Sequence, residues 1–221
     1  MIDMLNLKRY ETFVFDCDGV VLDSNKVKTN AFYRTALAYG EGVAKELVDF
    51  HVANGGISRY QKLSFFRESL LTGKSKPSLD SLLADFSRHV IDGLYACDVA
   101  AGLGALRAAT PNSNWLIVSG GDQVELREVF RAKGLADLFD SGIWGSPDNK
   151  DEILHREVGA GTIRQPAIFL GDSKYDFESS SRAGLDFVFL SEWTEVKDWR
   201  DWIEQNNLNH VRSIQELNDL F

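Results

Sequence analysis

Short apolar runs closed by polar turns constrain this chain more than any other feature. Thr12-Phe13-Val14-Phe15 ends in Asp-Cys-Asp-Gly, Trp115-Leu116-Ile117-Val118 in Ser-Gly-Gly, and Ala167-Ile168-Phe169-Leu170 in Gly-Asp-Ser. Phe187-Val188-Phe189-Leu190 ends at Ser191, and Phe139 to Trp144 reads as a weaker fifth run. A run that is apolar throughout, without alternation, suits a strand buried on both faces, and such strands belong to parallel sheets. Between the runs lie helical patterns: Gln123 to Lys133, with Val124, Leu126, Val129 and Phe130; Asp151 to Val158; and Tyr175 to Ala183, closed by Gly184. Strands alternating with helices predict an α/β fold with a doubly wound, Rossmann-like parallel sheet. In such sheets chemistry collects beyond the carboxyl ends of the strands.

Residues 25–97 read differently. They hold no convincing apolar strand, but Val27, Ala31, Phe32, Thr35, Ala36 and Ala38 suggest one helix, and Leu63 to Leu71 a second. Leu82, Leu83, Phe86, Val90, Ile91 and Leu94 mark a third helical face. The expected organisation is an α/β core of residues 1–24 and 98–221 with a helical domain, 25–97, inserted after the first strand; its hinges fall near Ser24 and Ala96 to Ala101. Near the C-terminus, Trp199, Trp202 and Ile203 lie on a helical pattern. Ser213 and Glu216 have capping-box spacing ahead of Leu217, Leu220 and Phe221.

Composition narrows the function class. With 221 residues, 44% hydrophobic and 26% charged, the chain can bury a sizeable core. A formal net charge of -9 argues against nucleic acid or an anionic membrane as partner, since both call for clustered Lys and Arg. Cys17 and Cys97 make no disulfide framework, and the four histidines, His51, His89, His155 and His210, show no zinc-type spacing. Met1 to Glu11 has charges at Asp3, Lys8, Arg9 and Glu11 and no long apolar core, so it does not read as a secretory signal. A soluble, cytoplasmic protein is expected.

Four constellations carry chemistry, each at a strand end. Asp16 and Asp18, one residue apart after the first strand, point to one face if the strand continues. Like charges so placed call for a cation, and magnesium suits oxygen ligands beside phosphate. The competing reading is an acidic Asp-Gly turn. Ser119 and Gly120 offer a hydroxyl and free backbone N–H groups for phosphate oxygens; an ordinary turn capped by Asp122 competes. Lys150 opens a helical pattern, where a cation opposes the helix dipole, and would offset a carboxylate and an incoming phosphoryl group. Asp172 would complete the cation's carboxylates. Asp176, one turn later, would hold a metal-bound water or orient Lys150.

In this order, the motifs Asp16-Cys-Asp18-Gly19, Ser119-Gly120, Lys150 and Gly171-Asp172-Ser173-Lys174-Tyr175-Asp176 resemble those of the haloacid dehalogenase-like superfamily. That resemblance implies a Rossmann-like core with a mobile cap, and catalytic roles for Asp16 as nucleophile and Asp18 as general acid/base. It implies Mg2+ held by Asp16, the Asp18 backbone carbonyl and Asp172, and a phosphoryl group bound by Ser119 and Lys150. The 100 residues between Asp18 and Ser119 against 30 between Ser119 and Lys150 are similar to the branch of β-phosphoglucomutase and phosphoglycolate phosphatase. Gly55-Gly56-Ile57-Ser58-Arg59 resembles that branch's specificity loop, which implies that Arg59 reaches a substrate phosphate or carboxylate. Lys28 stands where some relatives place a histidine, a departure that weakens the mutase assignment. The expected activity is a magnesium-dependent phosphatase acting on a small phosphorylated metabolite, with a phosphomutase as the alternative and a non-enzymatic phospho-aspartate regulator as the reading from another class. A dehalogenase is disfavoured because Asp18 is present. Phosphonate hydrolysis is also disfavoured, since it needs a cap lysine that forms a Schiff base with the substrate, although Lys26, Lys28 and Lys62 are cap lysines.

Overall fold

The computed structural model describes residues 7–73 and 76–219. Six strands form one all-parallel sheet: β1 (Thr12–Phe15), β2 (Asn114–Asp122), β3 (Ile143–Ser146), β4 (Ala167–Gly171), β5 (Asp186–Leu190) and β6 (Asn209–Val211). Their order, β3-β2-β1-β4-β5-β6, reverses direction between β1 and β4, which opens a crevice at the carboxyl ends of those two central strands.

Strand pleating divides the apolar runs between two faces. Phe13, Phe15, Trp115, Ile117, Ile168 and Leu170 face one side, and Val14, Leu116, Val118 and Phe169 the other. The first face is covered by α5 (Leu103–Ala109), α6 (Gln123–Ala132) and α10 (Ile214–Asn218) through Leu106, Phe130 and Leu217. The second is covered by α7 (Lys150–Gly159), α8 (Lys174–Arg182) and α9 (Trp199–Gln205) through Leu154, Phe177 and Trp202.

Between β1 and β2 the chain makes α1 (Asn25–Leu37), α2 (Glu41–Ala53), α3 (Arg59–Phe65), a π-helical turn (Phe66–Leu70) and α4 (Leu79–Ala96). Phe32, Phe66, Phe86 and Leu63 form their apolar interior, continuous with the first face of the core. The chain leaves and re-enters the core side by side: Asp23 N–H donates to the Asp98 carbonyl at 3.0 Å and Ala100 N–H to Val21 at 2.9 Å.

Several elements differ from expectation. The weak fifth strand begins at Ile143 rather than Phe139, because Phe139 turns into the core against Phe15, Trp115 and Phe130. Helix α2 lacks a strong apolar face, yet Ala44, Leu47 and His51 form a buried stripe at helical spacing. Edge strand β6 has three residues, of which only Val211 is fully buried, so it leaves no apolar run to read. At α10 the Ser213 hydroxyl accepts from Glu216 N–H, but the Glu216 carboxylate accepts from Arg212 N–H rather than closing on Ser213. Leu220 and Phe221, expected on that helix, lie outside the described residues, as does Asp3.

Candidate active site

Asp16 follows β1 directly and Asp172 follows β4, the two strands that pair across the switch in strand order. Gly19 lets the loop after Asp16 come this close. It has φ +76°, and a β-carbon there would lie 2.1 Å from Asp172 Oδ2, so no side chain fits. Carboxylate oxygens of Asp16, Asp172 and Asp176 lie within 4.8 Å of one another, all buried.

Lys150, the first residue of α7, is held beneath them with 1% of its surface exposed. Its Nζ lies 3.0 Å from Asp16 Oδ1 and bonds Asp176 Oδ1. The other Asp176 oxygen accepts from the Ser173 N–H at 3.1 Å and Ser173 Oγ at 2.7 Å, closing a capping box at the start of α8. Asp176 is thus engaged at both oxygens by protein groups. Asp16 Oδ1 is aligned with no hydrogen-bond donor among the described residues, although the ammonium is near.

The electrostatics follow from burial. Desolvation, opposed by Lys150 and reinforced by Asp176 and Asp18, pushes the Asp16 carboxyl up to about 7. Burial and the neighbouring Asp16 and Asp176 push Asp172 well above the carboxylate range. For Lys150, burial favours the neutral amine, but Asp16 and Asp176 overturn that and raise its pKa. Two carboxylates thus remain crowded with one ammonium between three acids. An all-oxygen donor set with an unsatisfied buried oxygen fits a hard divalent cation.

Asp18 lines the same cavity but is not one of the three clustered carboxylates. Its Oδ1 accepts from Ser24 Oγ at 2.6 Å, and its Oδ2 pairs with Lys28 Nζ on α1. Burial works to raise its pKa, but Lys28 and the Ser24 hydrogen bond outweigh it and the pKa falls. Ser119 is fully buried, and its Oγ accepts from Gly121 N–H at 3.0 Å. The Ser119-Gly120-Gly121 stretch sits where the β2–β3 register shifts. Gly120 faces the helical segment so closely that a β-carbon would lie 2.5 Å from the Gly56 carbonyl.

That segment covers the crevice. A cavity of about 60 Å³ lies between Asp16, Asp18 and Gly120 below and Ile57, Lys62 and Phe86 above. Arg59, expected to reach a substrate, lines this cavity; it also makes a two-pronged pair with Glu125 on α6 and donates to Ser87 Oγ at 3.1 Å. Beside it the Tyr60 hydroxyl donates to Asp122 at 2.8 Å, so Asp122 both caps α6 and holds α3. The structure therefore uses Arg59 to join the helical segment to the core.

Some site residues escaped sequence reasoning. Asn25 Nδ2 donates to Asp172 Oδ2 at 2.7 Å, and Lys28, noted in the sequence only as a departure and a cap lysine, holds Asp18. Their i, i+3 spacing puts them on one face of α1, a signal present in the sequence. Thr194 donates to the Asp172 carbonyl at 2.6 Å and Glu195 lines the cavity; both lie in a loop with no periodic pattern.

This arrangement belongs to a known class. A family model described as haloacid dehalogenase-like hydrolase matches residues 10–184, and the chain belongs to that family. Similar solved structures include CbbY from Rhodobacter sphaeroides in complex with phosphate, at 15% identity and TM-score 0.69, covering 94% of this chain and 96% of that one. A predicted phosphatase from Clostridium acetobutylicum matches at 17% identity and TM-score 0.71, covering 95% and 97% of the two chains. A candidate phosphoglycolate phosphatase from Lactobacillus plantarum matches at 17% identity and TM-score 0.70, covering 96% and 99%. At such identities the likeness carries the fold. No curated protein sequence matches the chain. No helix among the described residues is long and apolar enough to cross a membrane.

Proposed function

We propose that this chain is a magnesium-dependent phosphatase that hydrolyses a small phosphorylated metabolite in the cytoplasm. The observation that carries the reading is Asp16: a buried carboxylate at the end of β1, beside Lys150, with one oxygen that accepts no hydrogen bond among the described residues. A carboxylate steadied by one ammonium and committed to no other group suits a nucleophile.

In this reading Asp16 attacks phosphorus, forming an aspartyl phosphate as the bond to the leaving oxygen breaks. Lys150, the Ser119 hydroxyl and the Gly120 N–H bind the phosphoryl oxygens. Asp18 passes a proton to the leaving oxygen, then takes one from the water that hydrolyses the intermediate. With Lys28 and Ser24 on it, Asp18 is held as a carboxylate, the form suited to the second step. The first step requires those contacts to yield. Mg2+ held by Asp16, the Asp18 carbonyl and Asp172 would neutralise the clustered negative charge. Asp176 acts through Lys150, holding its ammonium in place.

Residues 25–97 act as a cap over a core of residues 1–24 and 98–221. Arg59–Glu125 and Tyr60–Asp122 support this, since both are tips of α3 clasping α6 and its cap. With the segment seated, the cavity is small, so substrate entry requires it to withdraw. The test is a screen of phosphorylated metabolites with Mg2+, scoring free phosphate and isomerised product. Isomerisation without phosphate release would replace the hydrolase reading with the mutase one.

A further inference from the structure

The described residues include three buried lysines, and two are matched by acids: Lys150 by Asp16 and Asp176, Lys28 by Asp18. The third, Lys62 on α3, has 3% of its surface exposed and pairs with no carboxylate among the described residues. Its Nζ lies 2.7 Å from His51 Nδ1 and 5.6 Å from the centre of the Phe32 ring.

The hydrogen-bond directions behind it can be worked out. The Thr29 hydroxyl lies 2.9 and 3.0 Å from the two Glu195 carboxylate oxygens, which only accept, so its single proton goes there. His51 Nε2, 3.0 Å from Thr29 Oγ1, must then donate to it. His51 is therefore protonated on Nε2, and its bare Nδ1 accepts from Lys62. Burial and the nearby Lys62 and Lys28 keep this imidazole neutral. The relay Lys62 to His51 to Thr29 to Glu195 uses one N–H of Lys62 and fixes its direction. The remaining N–H groups have no acid to meet, in the cavity that Asp16 also lines.

A buried ammonium with no carboxylate in contact is costly: burial and repulsion from Lys28 outweigh the more distant attraction of Asp18 and Glu195 and bring Lys62 down to about 7. Nearby cations do not share the task, because Arg59 is committed to Glu125 and Lys28 to Asp18. Glu195 carries negative charge on the far side of Thr29, so an anion is best received at the Lys62 end of the relay.

We propose that Lys62, aimed by His51, receives a second anionic group of the substrate, a carboxylate or a second phosphate. The substrate class is then a short phosphate monoester with an anion at its other end. This rests on the phosphatase reading for the end that reacts, and sharpens it for the end that does not. Lys62 is a binding residue; His51 is a positioning residue.

The test is calorimetric, using Asp16→Asn protein with Mg2+ so that turnover is not needed. Probes are matched pairs: phosphoglycolate against ethyl phosphate, 3-phosphoglycerate against glycerol 3-phosphate, and bisphosphates of two to five carbons against the corresponding alkyl monophosphates. At least one doubly anionic probe should bind roughly tenfold tighter or more than its partner, the worth of one charged hydrogen-bonded contact. In Asp16→Asn/Lys62→Met that preference should fall to near one, and Lys62→Arg should restore part of it. Lys62→Gln serves if the Met variant does not fold. The carboxylate and bisphosphate arms tell the two kinds of anion apart. Equal binding across every pair, a preference that survives loss of Lys62, or no binding by any probe overturns the assignment. Phosphate release by the unmodified enzyme is scored separately. Its absence strikes the phosphatase reading, while the calorimetry still decides Lys62.

Discussion

Lys150 in the α/β core and Lys62 in the helical segment are equally hidden from solvent, yet their surroundings push them in opposite directions. Lys150 sits among three aspartates and is held charged; Lys62 faces an imidazole and an aromatic ring and is driven toward neutrality. The core completes its charge balance within itself, apart from one crowded edge at Asp16 and Asp172. The helical segment leaves a cation unmatched and spends its own strong ion pair, Arg59–Glu125, on holding to the core. On the proposals made above, the difference separates the two halves of recognition: reaction chemistry in the sheet's crevice, selection in the helices above it.

Four perturbations can break or sharpen that contrast, from the largest effect downward. If the crevice alone does the chemistry, Asp16→Asn should lower phosphate release by roughly 10³-fold or more while leaving the fold intact. A variant that turns over like the parent would remove Asp16 from the mechanism.

Lys150→Met strips the cation from Asp16 and Asp176 in a fully buried place, and should cost about 3–5 kcal/mol of global stability in urea unfolding. Glu125→Gln breaks the two-pronged pair at the boundary instead, and should cost about 2–3 kcal/mol, the worth of charged hydrogen bonds. Its effect should be local: hydrogen exchange should quicken at residues 55–62 before the sheet amides respond. If Glu125→Gln lowers the global transition as far as Lys150→Met, the helical segment is not a separately opening element.

The last perturbation is read as a slope with pH, the smallest change per step, and concerns Lys62. Its pKa is lowered to about 7 in the fold against about 10.4 in the unfolded chain, so between those values the unfolded state carries the extra proton. Stability should therefore rise with pH across that window, by at most about 1.4 kcal/mol per pH unit, and show no Lys62 slope below it. Lys62→Met should lack this rise, so its advantage over the parent is full below about pH 7 and shrinks toward pH 10. Urea midpoints of both proteins between pH 6 and 10 check this. Parallel curves would mean that Lys62 keeps its proton throughout.

Much of this was legible in the chain, for reasons specific to particular residues. Phe13, Trp115 and Ile168 belong to runs buried on both faces, and burial on both faces leaves an unbroken apolar signature. Asp16, Lys150, Asp172 and Asp176 follow strands or open helices, so knowing the strands was enough to bring them together. Arg59 shows the limit. Its loop was readable, but the partner it takes was not, because Glu125 lies on a different element with nothing to mark it. Lys28 was noted as a departure, while its grip on Asp18 depends on how α1 leaves the core. His51 and Lys62 are eleven residues apart on two different helices, and only the packing of α2 against α3 makes them a pair.

The sequence by itself determined the α/β class, the helical insertion and the acids at the strand ends. These are local: each depends on a few consecutive residues and on the period of strand or helix. Tertiary structure alone decided which charges meet. Whether a buried lysine is matched, as Lys150 is, or left waiting, as Lys62 is, depends on side chains distant in the chain, and electrostatic energy is set by separation in space and by the exclusion of water.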